Sequence, residues 1–233
     1  MSKLSNEQQI DSVQLESQRL QLCAVHAINN LLQVSNEENA ATKEELDSIA
    51  DSLVTKEKAI YRSGKESISG ANSMSWYDLL KSRHRTPMLG NYSFEVLSLA
   101  LRKRGIELNW CDVKDIENIV TGKCSPHNAQ ACSSSIVGFI VNSVSPRLHY
   151  FSLGLFGRHW FAITKSDGFE DNHCAVAMED KRRAERWTIL DSKKQQPDYL
   201  DSSDALISYL ELVHDKGGAI FHAKPVSSVY NSD

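Results

Sequence analysis

The spacing of apolar residues changes halfway along this chain of 233 residues, and that change constrains the fold more than any other feature. In the first half, apolar residues recur every three to four positions, as in amphipathic helices, with stripes beginning near Cys23, Leu46, Trp76 and Val96. In the second half, short apolar or alternating runs predict strands over 136–141, 149–153, 159–164, 187–191 and 219–222. Helices gathered before strands, instead of alternating with them, predict an α+β fold with an antiparallel sheet.

Several residues predict where these helices begin and end. Thr42 and Glu45 have the spacing of a capping box in front of the second stripe. Ser93 is predicted to cap the helix that follows it, and Gly105 to close that helix in the left-handed conformation. A last helix is predicted over about Asp204 to Val213, after most of the strands.

Charge and cysteine content narrow the class of protein. With 26 Lys and Arg against 30 Asp and Glu, the net charge of −4 gives no reason to expect a nucleic-acid partner. The polar amino terminus and the absence of an apolar run of about 18 residues indicate no signal peptide and no membrane span. Five cysteines, an odd number without tight spacing, are interpreted as reduced thiols. We therefore expect a cytoplasmic protein and leave the nucleus open.

Cys23 is the first candidate for chemistry. It lies at the predicted first turn of the helix over 22–33, where unpaired N–H groups and the helix dipole favour a thiolate. The ordinary alternative is a small core residue, because free cysteine is among the most buried residue types. Gln18, just upstream, could direct its amide N–H, together with the backbone N–H of Cys23, at a developing oxyanion.

A histidine and an acid complete the candidate set. Alternation places His159 at the start of one face of the run 159–164 and Asp191 at the end of one face of the run 187–191. If these strands pair antiparallel, Asp191 falls next to His159. A base held by an orienting acid, together with a cysteine, is the arrangement of a cysteine hydrolase.

Two alternatives compete with this interpretation. His26, three residues after Cys23 on the same helix, is a rival base, but we expect it to be structural because both side chains lean the same way. Cys124, His127 and Cys132 could bind a metal, but their spacing does not match a strong zinc pattern. We therefore expect no metal and no organic cofactor.

Beyond these single residues, the continuous string Gln18 to Gln33 closely resembles the catalytic helix of the Josephin family of deubiquitinating cysteine proteases. Further matches follow in the same order, at Gly90-Asn91-Tyr92, Gly138 to Asn142, Arg158-His159-Trp160 and Leu190-Asp191-Ser192. The resemblance extends from about Val13 to Lys224. It implies a papain-like α+β fold and a single catalytic domain, which we place at 9–225 with short tails at 1–8 and 226–233.

The resemblance also implies a reaction and a role for each residue. Cys23 would be the nucleophile, His159 the proton acceptor, Asp191 the residue that orients His159, and Gln18 the oxyanion donor. The enzyme would hydrolyse the isopeptide or thioester bond at the C-terminal glycine of ubiquitin, without a cofactor. The expected partners are ubiquitin or polyubiquitin conjugates, and we expect a monomer. A helical hairpin over Val34 to Trp76 would project from the core and control access of ubiquitin.

Two other functions stay open, and one segment departs from the family. The first is a catalytically weak ubiquitin-binding module, and the second is a hydrolase acting on a ubiquitin-like modifier, which would share the chemistry and differ only in the pocket. The connection Asp167–Arg186 between the two site strands is far longer than an ordinary hairpin loop of 2–5 residues. We interpret it as an insertion that is either mobile or functional; a functional insertion would cover the site or bind a partner.

Overall fold

The structure is a computed structural model that describes residues 15, 22–34, 39–65, 84–85, 92–122, 136–144, 158–166 and 186–226. Its helices are α1 (Cys23–Leu32), α2 (Lys43–Lys65), α3 (Phe94–Arg102), α4 (Ile116–Thr121) and α5 (Ser203–Asp215). Its strands are β1 (Ile106–Trp110), β2 (Gly138–Val144), β3 (Arg158–Ser166), β4 (Arg186–Leu190), β5 (Asp198–Leu200) and β6 (Ala219–Pro225).

These strands form one antiparallel sheet in the order β1-β6-β2-β3-β4-β5. The antiparallel sheet and the helices that precede it confirm the predicted α+β fold. β2 pairs with β3 over 158–164, whereas β4 pairs only with 162–166. The first residues of β3 therefore extend past the end of β4, at the place where the chain leaves the sheet.

Alternating residues of the strands feed two separate apolar cores, one on each face of the sheet. On one face, Trp160 and Ala162 of β3 pack in a cluster with buried residues of α1, α2 and α3. On the other, Phe161 and Ile163 pack with buried residues of α4 and α5. The sheet thus lies between two helical layers, and the period of two in the strands is what divides the side chains between them.

The turn from α1 into α2 is held by side chains. Asn29 donates to the carbonyl of Ala41 at 3.2 Å and accepts from the N–H of Ala41 at 2.7 Å. Thr42 then accepts from the N–H of Glu45 at 3.2 Å, which confirms that half of the capping box. The Glu45 carboxylate pairs instead with the guanidinium of Arg104, at 2.7 and 3.1 Å. A partner from α3's C-terminal end has therefore displaced the local one.

The ends of α3 bear out one prediction and correct another. Gly105 closes the helix with φ of +75°, a conformation that favours glycine. Ser93 occupies the N-cap position with extended backbone, but its side chain makes no capping hydrogen bond. The hydroxyl of Ser93 lies 3.1 Å from Nδ1 of buried His84 instead. The structure therefore confirms Ser93 as the N-cap residue, but not a capping hydrogen bond from its side chain, because His84 competes for the hydroxyl.

The sequence did not predict three short elements of the structure. β1, β5 and α4 have only 5, 3 and 6 residues, too few for a clear periodic signal.

Three predictions lie outside the described residues: the helix near Trp76, the strand over 149–153 and the second part of the hairpin. No position of α2 from 51 to 60 is buried, although Leu53 still packs against the core, and Ile60 is 72% exposed. None of the described helices has the length and apolarity needed to cross a bilayer.

Candidate active site

Cys23 is the first residue of α1. Leu22 precedes it with non-helical backbone and provides no side-chain cap, and the first turn contains no acidic residue. The N–H groups of that turn have no intrahelical acceptor, and the helix dipole places partial positive charge there. The thiol is buried in the cluster that α1 shares with the sheet. Cys23 is thus both a core residue and a thiol at a helix N-terminus, so the two interpretations from sequence are compatible.

β3 positions the second candidate residue, His159. The ring is buried and lies on the same face of the strand as Phe161, with ring centroids 6.2 Å apart and planes inclined by 28°. Because β2 pairs with β3 as far as Arg158, the backbone at His159 is held in the sheet on that side. The imidazole is therefore carried by a rigid element and packed on one side by an aromatic ring.

Asp191 follows directly after β4. Its Oδ1 lies 2.6 Å from Nε2 of His159 and also accepts from the N–H of Lys193 at 2.9 Å. The carbonyl of Asp191 accepts from the N–H of Lys194 at 2.8 Å, so the carboxylate is oriented by a tight turn of its own chain. Continuing the β3–β4 ladder past Leu190 would place Asp191 opposite Phe161, so the contact with His159 is diagonal. The predicted proximity of Asp191 and His159 is present.

Burial and charge act in opposite directions on this pair. Burial lowers the pKa of His159, but the hydrogen bonds and charges of Asp191 and Cys23 outweigh it and raise that pKa above 6.5. Burial raises the pKa of Asp191, but the His159 hydrogen bond and charge, with the Lys193 N–H, bring that pKa below 3.8. The arrangement therefore favours imidazolium beside carboxylate.

The two ring nitrogens of His159 have different surroundings. Nε2 is engaged by Asp191, while Nδ1 is buried and makes no hydrogen bond of ordinary geometry with a described residue. The Cys23 thiol is nevertheless close enough to raise the pKa of His159 by hydrogen bonding. Nδ1 is thus the nitrogen left to exchange a proton with the thiol. A thiol next to an imidazole that is itself held by a carboxylate can perform nucleophilic acyl transfer.

Other candidate residues fall outside this group. Gln18, the predicted oxyanion donor, lies outside the described residues, as do Cys124, His127 and Cys132, the possible metal ligands. His26 is buried on α1 in the structure. β3 ends at Ser166 and β4 begins at Arg186, so nearly all of the connection interpreted as an insertion also lies outside the described residues.

Tyr209 lies near the site, although the amino-acid sequence does not place it there. Its spacing on the last predicted helix marks it as part of an apolar face, and it does pack against the core on the α5 side. Burial, together with the charges of Asp191 and Asp198, raises the pKa of Tyr209 to about 12. A neutral phenol therefore lies near the Asp191 carboxylate. Only the packing of α5 on the sheet brings these residues near each other.

Comparison with known proteins identifies the family of the chain. The family model described as Josephin matches residues 18–224. Josephin-2 of Mus musculus is 29% identical over 201 residues, 85% of this chain and 78% of the mouse protein. Josephin-2 of Homo sapiens is 28% identical over 197 residues, 84% of this chain and 76% of the human protein. A Josephin-like protein of Arabidopsis thaliana is 31% identical over 156 residues, 66% of this chain but 36% of the plant protein. Because the family model spans most of its length, this chain belongs to the Josephin family.

Proposed function

We propose that the protein is a deubiquitinating cysteine protease that hydrolyses the isopeptide or thioester bond at the C-terminal glycine of ubiquitin. The observation that carries the proposal is the imidazole of His159, held at 2.6 Å by Asp191 and interacting with the thiol at the start of α1. Membership of the Josephin family, a family of deubiquitinating cysteine proteases, supports ubiquitin as the substrate.

The first half of the reaction forms a thioester. The proton of the Cys23 thiol passes to Nδ1 of His159, and Asp191 stabilises the resulting imidazolium through Nε2. The thiolate attacks the carbonyl carbon of the ubiquitin glycine, and the oxyanion forms beside the backbone N–H of Cys23 and the amide of Gln18. Nδ1–H of His159 then protonates the lysine amine as the C–N bond breaks, which leaves ubiquitin attached to Cys23 as a thioester.

The second half of the reaction restores the enzyme. His159, now neutral, accepts a proton from water as the water oxygen attacks the thioester carbonyl. The C–S bond breaks, the proton on His159 returns to sulfur, and ubiquitin leaves with a C-terminal carboxylic acid that loses its remaining proton to solvent. This chemistry requires only the side chains named and water.

Cys111 provides a matched control for the test of this proposal. It is a second buried thiol, and burial with the charges of Asp115 and Asp112 raises the pKa of Cys111 to about 12, so it stays protonated and unreactive. The wild type, Cys23→Ala and Cys111→Ala are incubated with ubiquitin that carries a C-terminal thiol-reactive warhead, and intact mass is measured. We expect one ubiquitin adduct on the wild type and on Cys111→Ala, and none on Cys23→Ala.

Cleavage of a fluorogenic C-terminal amide of ubiquitin is measured on the same three proteins. We expect turnover by the wild type and Cys111→Ala, and loss of turnover in Cys23→Ala. A folded wild type that forms no adduct would contradict the proposal. Ubiquitin binding without reaction would then indicate a binding module, and reaction with probes of ubiquitin-like modifiers alone would indicate a hydrolase for those modifiers.

A further inference from the structure

The three candidate catalytic side chains come from two separate parts of the fold. His159 and Asp191 are fixed to each other by the pairing of β3 with β4 and by their own hydrogen bond. Cys23 belongs to α1, a helix that packs on β3 and reaches β4. The distance from the thiol to the imidazole therefore depends on how α1 sits on the sheet.

Asn30 makes a polar connection between these two parts. Its Nδ2 donates to the carbonyl of Leu190 at 3.4 Å, across 160 residues of sequence, and the residue is only 2% exposed. Leu190 is the last residue of β4, and the β4–β5 ladder has already ended at Ile189. A buried amide placed against a backbone carbonyl satisfies two groups that would be costly to leave without hydrogen bonds.

The position of Asn30 on α1 relates this contact to the thiol. Asn30 comes seven positions after Cys23, which is close to two turns, so both lie on one side of the helix about 10 Å apart along its axis. At the other end of the contact, Leu190 immediately precedes Asp191. One hydrogen bond thus joins the helix that carries the nucleophile to the strand end that carries the acid.

We propose that Asn30 is a positioning residue, which seats α1 on the end of β4 and thereby sets the distance from Cys23 to the His159–Asp191 pair. The inference rests on the proposed function, because it concerns the geometry of that reaction. A helix about 10 Å in diameter that rotates by about 10° on its axis moves a side-chain tip by about 1 Å. A displacement of about 1 Å can lower the rate of a reaction by about a hundredfold.

Asn29, the neighbouring residue, supplies the matched control. It is the same residue type on the same helix and is also buried, but it lies about 100° around the axis from Asn30. Its two hydrogen bonds join Ala41, in the turn that leads into α2, and not the strands of the site. Substitution of Asn29 removes comparable interactions from α1 without loosening its contact with β4.

The experiment compares Asn30→Leu with Asn29→Leu, and Asn30→Ala with Asn29→Ala, each against the wild type. Circular dichroism and thermal melting establish folding. Steady-state cleavage of the fluorogenic ubiquitin amide separates kcat from KM. The rate of alkylation of Cys23 by iodoacetamide, followed by mass spectrometry of its peptide from pH 5 to 9, reports the thiol–imidazole interaction without any ubiquitin.

We expect both Asn30 variants to lower kcat by about tenfold or more, with little change in KM, and to move the alkylation profile of Cys23 toward higher pH. We expect the Asn29 variants to melt at lower temperature but to keep the wild-type kcat and alkylation profile. A purely structural role for Asn30 would lower the melting temperature without moving that profile.

Three results would overturn the proposal. The first is a folded Asn30→Leu or Asn30→Ala whose kcat and alkylation profile lie within twofold of the wild type. The second is an equal loss in the matched Asn29 variants, and the third is failure of both Asn30 variants to fold while the Asn29 variants fold. If the wild type itself does not cleave ubiquitin substrates, the proposed function fails, and the alkylation profile still decides the role of Asn30.

Discussion

Replacement of Asp191 separates the two effects that this residue has on His159. Asp191→Asn keeps an oxygen that can accept the hydrogen bond from Nε2, but removes the negative charge. Asp191→Ala removes both. If the carboxylate stabilises the imidazolium and also holds the ring in place, the two variants must differ in size and kind of effect.

The magnitude follows from the geometry of the pair. Oδ1 and Nε2 are 2.6 Å apart, and the two side chains are only 17% and 8% exposed, so solvent weakens the interaction little. A hydrogen bond to a charged group contributes about 1.5–3 kcal/mol, and about 1.4 kcal/mol corresponds to a factor of ten in rate. We therefore expect Asp191→Ala to lower kcat/KM by about tenfold to a hundredfold. Charge-assisted hydrogen bonds are about twice as strong as neutral ones, so we expect Asp191→Asn to lose about half as much free energy.

The pH dependence of kcat/KM on the fluorogenic ubiquitin amide provides the assay. Because Asp191 raises the pKa of His159, loss of the charge lets the imidazolium lose its proton at lower pH. The alkaline limb of the profile should therefore move toward lower pH in both variants. An alkaline limb that stays in place in folded Asp191→Asn would refute the reasoning, even if activity fell.

Stability against urea gives an independent check of the same pair. The pKa of Asp191 is lowered from 3.8. The contribution of the ionised carboxylate to the free energy of unfolding is therefore present above that value and is lost as pH falls through the folded pKa. The pKa of His159 is raised from 6.5, so its contribution is present below that value and is lost as pH rises through the folded pKa. The difference in the free energy of unfolding between wild type and Asp191→Asn should thus be greatest between about pH 4 and 6.5. An advantage that does not vary with pH would mean that the charges do not interact.

Two further predictions concern stability, measured by urea unfolding. Gly138→Ala should destabilise by about 1–3 kcal/mol, because a Cβ there would lie 2.3 Å from the carbonyl oxygen of Ile163; a loss within experimental error would mean that β2 and β3 can move apart freely. Arg104→Lys should destabilise by about 1–2 kcal/mol, because a single ammonium cannot reproduce the two contacts that the guanidinium makes with Glu45 at 2.7 and 3.1 Å. Equal stability of Arg104→Lys and wild type would show that charge alone is sufficient at that site.

Local sequence patterns predicted the parts of the fold that depend on nearby residues. The helical period marked α1, α2, α3 and α5, and Gly105 marked the end of α3. Alternation placed His159 and Asp191 on matching faces, and antiparallel pairing brought them together. These features follow from backbone geometry over a few residues, so they can be predicted without knowing the partners of each element.

Tertiary structure decided everything that depends on a distant partner. The hydroxyl of Ser93 lies within hydrogen-bond distance of His84, and the carboxylate of Glu45 pairs with Arg104. In both cases a non-local partner takes the place of the local capping hydrogen bond that the sequence predicts. Asn30 reads locally as one more polar position on a helix, and only the packing of α1 on β4 makes it a contact of the strand end that holds Asp191. The sequence therefore determined which residues could act and on which element each lies. The tertiary structure determined their partners, because hydrogen bonds between distant segments form only once packing has brought those segments together.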